Sequence, residues 1–211
     1  MKIALIGATG NIGNSIAREA LRRGHGVTAI TRRTTALPQE LQGVQIGNAD
    51  ILDHAALAEA VRGHDVLASA FGPGPESAEL VVDAARSIVA AARAAGIKRV
   101  VVVGGAGSLE VAPGVQLVDT PGFPEAYKAY AIAHRKALAV FQEAGDLDWT
   151  FFAPAAMIGP GETTGKFRIG VRNLIADSEG RSAISYGDYA DAFVTEIESG
   201  KHIKEILTVA Y

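Results

Sequence analysis

Short apolar runs alternate with longer amphipathic stretches along most of the 211-residue chain. Lys2 to Ile6 is a compact apolar run of the kind that forms a buried parallel strand. Asn11 to Arg23 follows with Ile12, Ile16, Ala17, Ala20 and Leu21 on one helical face. The same alternation predicts strands at Val27–Thr31 and Val44–Gly47, a helix over Ala55–Arg62 capped by Asp53, and a strand over Asp65–Ala70. A long helix is expected from Glu76 to Ala95, stopping at Gly96, and then the strand Lys98–Val103, the most clearly buried of all. Further on come a helix over Glu125–Ala144 and a strand over Trp149–Ala153. A last amphipathic helix, Tyr186–Ile197, carries Asp188 as a charge at its N-terminus, and Ile206–Ala210 is a final strand. Alternation in Lys166–Ile169 and Asn173–Ala176 suggests a short two-stranded excursion. Strand and helix repeated in this way mean an α/β fold with a parallel sheet covered on both faces.

The junction between the first strand and the first helix carries the first chemical signal. Gly7, Gly10 and Gly13 stand three apart. Strand, glycine turn and helix in succession is the context in which a glycine pattern reads as a phosphate cradle rather than a bare turn. Gly7 permits the tight turn, Gly10 lets the backbone approach a pyrophosphate, and Gly13 lets the helix pack close to the sheet. The amides from Asn11 through Ile12 to Gly13 present the positive end of the helix, and Thr9 and Asn11 add polar contacts. These features predict a Rossmann-type doubly wound domain spanning residues 1–211, with residues 104–124 and 154–186 forming a small loop-rich substrate lobe. Arg32 and Arg33 end the second strand, where a dinucleotide fold faces the adenosine ribose. Arginines there favour NADP(H), with NAD(H) possible; the alternative is that both are solvated loop residues. Backbone at Ala70, Phe71 and Gly72, at the end of the fourth strand, and at Gly104 after the fifth is expected beside the cofactor.

Composition narrows the classes. Hydrophobic residues make up 48% and charged residues 20%, as in a soluble globular protein, and the net charge of −3 argues against general nucleic-acid binding. There is no cysteine, which removes disulfides and thiolate catalysis, and the five histidines show no metal-ligand spacing. With a strand from residue 2 and no run of apolar residues long enough for a membrane span, neither a signal peptide nor a membrane is expected, and the default location is the cytoplasm.

The turn, with Ala8, Thr9 and Gly10 in its middle, resembles the short-chain dehydrogenase/reductase superfamily, particularly its extended and atypical branches. The resemblance implies that Asp50 bonds the adenine amino group with the Ile51 backbone beside it; a turn carboxylate is the competing reading. It also implies a catalytic Ser or Thr after the fifth strand. Here Gly104 and Gly105 stand there, and Ser108 or a glycine N–H is left as the oxyanion-type donor. The superfamily's Tyr-x-x-x-Lys dyad is absent: Tyr130 is followed four residues later by His134, and Lys136 lies on another face. Tyr130 and His134 are the candidate proton-handling pair, or else pocket-lining helix residues.

The Asp-Trp-Thr run ending in Pro154, the Gly-Pro-Gly-Glu loop before Lys166 and the Ser182–Ala190 segment resemble the NAD(P)H-binding atypical short-chain reductases, the NADH-flavin reductase group. That resemblance implies that Pro154, Ala155 and Ala156 neighbour the nicotinamide, with Met157 and Ile158 in the pocket or core. The group is also similar to biliverdin/flavin reductases, which place a histidine near the substrate on this helix and dispense with the dyad; His134 is the matching residue. The implied activity is hydride transfer from NADPH to a flavin- or quinone-like acceptor, by a monomer or homodimer. Two alternatives are a redox-sensing regulator that binds NADP(H) without turnover, and a reductase or epimerase acting on a small carbonyl compound through Tyr130.

Overall fold

The computed structural model describes residues 1–32 and 37–211. In chain order the elements are β1 (Lys2–Ile6), α1 (Asn11–Arg22), β2 (Gly26–Thr31), β3 (Gln45–Asn48), α2 (His54–Val61), β4 (Val66–Ser69), α3 (Leu80–Ala95) and β5 (Arg99–Val103). Then come β6 (Glu110–Ala112), β7 (Val115–Gln116), α4 (Glu125–Glu143), β8 (Asp148–Ala153), β9 (Met157–Gly159), β10 (Arg168–Val171), β11 (Ala183–Ser185), α5 (Tyr186–Ser199) and β12 (Glu205–Ala210). Eight strands form one sheet in the order β10-β12-β8-β5-β4-β1-β2-β3, parallel except for β10 at the edge.

The period-two alternation within each parallel strand divides the core. Ala4 and Ile6, Leu67, Val100 and Val102 point to one face and pack with α2, α3 and α4. Ile3 and Leu5, Val66, Ala68 and Val101 point to the other and pack with α1 and α5. Both faces are therefore apolar, which is why these strands read as continuous hydrophobic runs. On the α5 side, Phe152, Tyr189 and Phe193 form an aromatic stack, and the buried Tyr189 hydroxyl donates to Phe152 O at 2.6 Å. Burial raises the Tyr189 phenol well above its ordinary value, so it stays a neutral donor.

The fold is α/β and doubly wound, as expected. β1 lies between β2 and β4, so the chain leaves β1 in one direction and later returns on its other side. Ligands of open α/β sheets bind at the carboxyl ends of the strands at such a reversal.

Three local expectations are corrected. Residues 173–176 form no strand; Arg168–Val171 instead pairs antiparallel with the open edge of β12. Arg172, at φ 67°, turns the chain so that Ile175 folds back over β10, where a Cβ on Gly170 would stand 3.0 Å from its Cδ1. The helix expected from Glu76 begins only at Leu80, because Pro75–Ser77 winds as a 3₁₀ turn after Gly74. Asp188 is more than a dipole charge. It is fully buried, and its carboxylate accepts from the amides of Thr164 and Gly165 and from the hydroxyls of Thr164 and Tyr211. Burial alone would raise this carboxyl; the donors, led by Tyr211, outweigh it and hold the pKa below the usual range.

At the amino ends of the strands a second buried carboxylate ties three elements together. Glu196 of α5 accepts from Arg99 of β5 at 2.7 Å and from the His202 amide at 3.0 Å, while Arg99 also donates to Thr150 of β8 at 2.7 Å. The side chains of Arg99 and Glu196 are only 12% and 3% exposed. Replacing Glu196 by Ala leaves a guanidinium in the interior without its carboxylate, and the expected loss is about 3 kcal/mol of unfolding free energy, read from urea denaturation. A loss below about 1 kcal/mol would mean that water reaches Arg99 as it does a surface ion pair.

Candidate active site

The glycine turn sits where β1 ends, and its three glycines differ in what holds them. Gly7 has φ +78°, and a Cβ there would stand 2.5 Å from the Ala70 carbonyl oxygen of the neighbouring strand end. A Cβ on Gly13 would stand 2.0 Å from the Gly7 carbonyl oxygen. Both positions are closed to any side chain by backbone. Gly10 is different: a Cβ there would meet only the Gly7 carbonyl oxygen, at an ordinary 3.5 Å. The protein's own packing does not demand glycine at 10, whereas a phosphate lying on the backbone would. Gly10 is also the N-cap of α1; no side chain caps the helix and its first turn holds no acidic residue. The first-turn amides of Asn11, Ile12 and Gly13 thus meet no side-chain cap and no first-turn carboxylate.

Beside the turn a niche of about 130 Å³ is lined by Ile6–Thr9, Ala29–Arg32, Ala49, Ile51 and Phe71. Its place at the ends of β1 and β2 suits an adenosine. The Arg32 side chain is 70% exposed and its Nη1 lies 3.9 Å from Asp50 Oδ2, a loose pairing that leaves the guanidinium reorientable. Asp50 Oδ1 accepts from the Leu52 amide at 3.0 Å, which is the turn geometry expected of an aspartate there. Arg33 lies outside the described residues. Asn11 Nδ2 donates to the Tyr186 hydroxyl at 3.4 Å, so the first turn of α5 reaches the first turn of α1.

A larger cleft of about 740 Å³ opens beyond Phe71, which lines both spaces. Its walls are Ala70–Gly72, Val103–Gly107, Pro154–Ile158 and one face of α4, together with Leu117, Thr120, Phe123 and Pro124 from the connection before α4. Among the described residues this lining holds no Lys, Arg, Asp or Glu. The structure thus brings Ile12, Ala70, Phe71, Gly72, Gly104, Pro154, Ala155, Tyr130 and His134 into one cavity. Met157 and Ile158 line it from β9, which pairs with β11.

Tyr130 and His134 meet edge to face, with ring centroids 4.7 Å apart. His134 is 6% exposed, and burial pushes its pKa down to about 4. Burial also pushes the Tyr130 phenol up. His134 is therefore a neutral imidazole at neutral pH, and neither ring is an acid poised near pH 7. The glycines after β5 have a steric reason. A Cβ on Gly104 would stand 2.2 Å from the Phe151 ring, and one on Gly105 would stand 3.0 Å from His134 Cβ. The space that a catalytic Ser or Thr would need is filled by these rings.

Ser108 does not take over that role. It is 1% exposed, lies outside the cleft lining, and its buried hydroxyl has no partner among the described residues. The Gly104 amide is spent on Phe152 O at 2.8 Å. Arg135 is engaged with Asp119 at 2.9 Å, and Lys136 is exposed away from the cleft. Tyr127 was not singled out from the sequence as a cleft residue, while Phe123 falls in the 104–124 stretch expected to form the substrate lobe. For Tyr127 the signal was present, since Tyr127, Tyr130, Ala131 and His134 follow helical spacing along one face. Among the described residues no group of three or more His, Asp or Glu could hold a metal ion.

Two outcomes follow from this geometry. Gly10→Ala should fold with stability within about 1 kcal/mol of the parent yet bind NADP(H) at least tenfold more weakly, whereas Gly13→Ala should lose fold stability outright. Titration calorimetry and thermal unfolding separate the two; equal dinucleotide affinity in Gly10→Ala would remove the phosphate from this turn. The second concerns pH. The unfolded chain protonates His134 near its ordinary 6.5 and the folded chain only near 4. Stability is therefore lost as pH falls through that window, by up to about 3 kcal/mol, and His134→Gln should flatten the slope of unfolding free energy against pH. The same slope in both proteins would show that His134 protonates in place.

Solved structures of similar proteins share this fold over the whole chain. The solved structure of a candidate exported protein from Burkholderia pseudomallei is 58% identical, with TM-score 0.94 and full coverage of both chains. A candidate NADH-flavin reductase from Streptococcus pneumoniae is 35% identical, with TM-score 0.89, covering 100% of this chain and 99% of that one. A candidate epimerase from Bacteroides thetaiotaomicron is 37% identical, with TM-score 0.92, covering 100% and 96%. No helix among the described residues is long and apolar enough to cross a membrane. Residues 7–199 match the family model described as NAD(P)H-binding, a span that runs from the first glycine of the turn to the end of α5. With that match over most of its length, the chain belongs to the NAD(P)H-binding family, of atypical short-chain dehydrogenase/reductase type.

Proposed function

We propose that the protein is an NAD(P)H-dependent reductase that passes hydride from NADPH to a flavin- or quinone-like acceptor held in the 740 Å³ cleft. The carrying observation is the chemistry of that cleft. It holds no charged side chain, and burial moves both Tyr130 and His134 away from the range in which a side chain donates a proton near neutral pH. A carbonyl substrate needs such an acid as hydride arrives. A flavin or quinone spreads the added charge over its own rings and takes its proton from water.

In this reading the first-turn amides of α1 hold the pyrophosphate, the niche holds the adenosine, and Arg32 meets a 2′-phosphate. Bound NADPH supplies the hydride. The backbone at Gly72, Gly104, Pro154 and Ala155 forms the apolar bed of the nicotinamide, and the uncharged rings of Tyr130 and His134 orient the acceptor against it. Residues 104–124 and 154–186 act as the substrate lobe of one 1–211 domain.

Steady-state oxidation of NADPH and NADH with riboflavin, FMN and a small quinone is the direct test. The expected result is turnover with NADPH preferred, and Arg32→Glu lowering that preference about tenfold. Tight NADP(H) binding without turnover on any acceptor would favour the redox-sensor reading, and no dinucleotide binding would overturn both.

A further inference from the structure

Among the described residues, the two most exposed large apolar side chains are Tyr127, at 58%, and Met157, at 57%. They come from α4 and β9, which are distant in sequence, yet both stand on the rim of the same cleft. Exposed apolar side chains scattered over a surface carry no message; the two largest exposures meeting on one rim do. Each also borders an annex of the cleft. Tyr127 lines one of about 390 Å³ with Glu76, and Met157 lines one of about 440 Å³ with Glu162. Among the described residues these two carboxylates are the only charged side chains in the lining of the cleft and both annexes. The nearby α4 cations are paired elsewhere, Lys128 with Glu125 at 3.6 Å and Arg135 with Asp119 at 2.9 Å.

Building on the reductase reading, we infer that the cleft takes an uncharged planar conjugated acceptor, gripped at the rim by Tyr127 and Met157, and that Glu76 and Glu162 turn away acceptors bearing phosphate or carboxylate. The ring face of Tyr127 and the soft thioether of Met157 suit a flat conjugated ligand without fixing its substituents. An anionic group carried past the rim would find two carboxylates and no cation among the described lining residues, Arg168 beside the Glu162 annex being engaged by the carbonyls of Ala176 and Tyr211. The phosphates of the cofactor meet the opposite setting, a helix N-terminus and Arg32. The two ends of the site thus sort their ligands by charge.

The test compares riboflavin, FMN and an uncharged benzoquinone, first as oxidised ligands bound to the NADP⁺-loaded protein and then as acceptors with NADPH. Riboflavin should bind and turn over about fivefold better than FMN at low salt, and the gap should close in the Glu76→Gln/Glu162→Gln protein and shrink as salt rises. Tyr127→Ala and Met157→Ala, both at exposed positions, should each raise KM for riboflavin and for the quinone about fivefold, with kcat and KM for NADPH little changed. FMN used as well as riboflavin, or rim variants with unaltered KM, would overturn this inference while leaving the reductase reading in place. Riboflavin binding that depends on Tyr127, without any NADPH oxidation, would support the inference and overturn the reductase reading. Neither binding nor turnover would overturn both.

Discussion

The close approach of α1 to the end of β1 is the contact on which the rest depends. With the Gly7 carbonyl occupying the place of a side chain on Gly13, and the Ala70 carbonyl occupying that of one on Gly7, three backbone segments touch directly. That contact sets α1 over the sheet, aims its uncapped N-terminus along the strand ends, and fixes the gap between β1 and β4 in which Phe71 stands. The small niche and the large cleft are the two sides of that gap. Gly10, placed in the same turn but free of internal contacts, is where the geometry stops serving the fold and begins to serve a ligand.

At the other end of the cleft the same economy of space shapes the chemistry. His134 and Phe151 fill the volume that a hydroxyl-bearing residue after β5 would need, and the glycines at 104 and 105 are the consequence. Burying the imidazole so deeply keeps it uncharged. The site is therefore good at holding flat, apolar matter and poor at delivering protons. A chain that gives up the usual acid of its superfamily is suited to acceptors that carry their own electron sink.

Much of the fold was legible because a parallel sheet buried on both faces demands continuous apolar strands, and these stand out from amphipathic helices. The glycine turn was legible for a different reason: its context, strand then helix, is local. What escaped was decided by distant partners. Whether Arg168–Val171 pairs with the residues just after it or with β12 depends on an open sheet edge some 40 residues downstream. Asp188 looks like an ordinary first-turn acid until Thr164 and Tyr211 are placed around it. Ser108 looked available because sequence shows a hydroxyl but not the wall in front of it. Among the cleft residues, those on helix and strand faces followed their periodicity, while Phe123 sits in a connection that has none.

The tie between Asp188 and the segment at Thr164–Gly165 also bears on the order in which the molecule can assemble. That segment is continuous with Glu162, which lines the annex, and with β9, which walls the cleft, and it is held by a carboxylate 24 residues later and, through Tyr211, by a hydroxyl 23 residues later still. The Tyr211 hydroxyl also reaches the Glu162 carbonyl, closing about twice the length of chain that separates Lys2 from its partner Gly26, and longer loops close later. β1, α1 and β2 close over the shorter loop and can come together first, so the packing of α1 on β1 is an early feature of folding. The acceptor wall is a late one, completed only when β12 docks beside β8 and brings the last hydroxyl to its carboxylate.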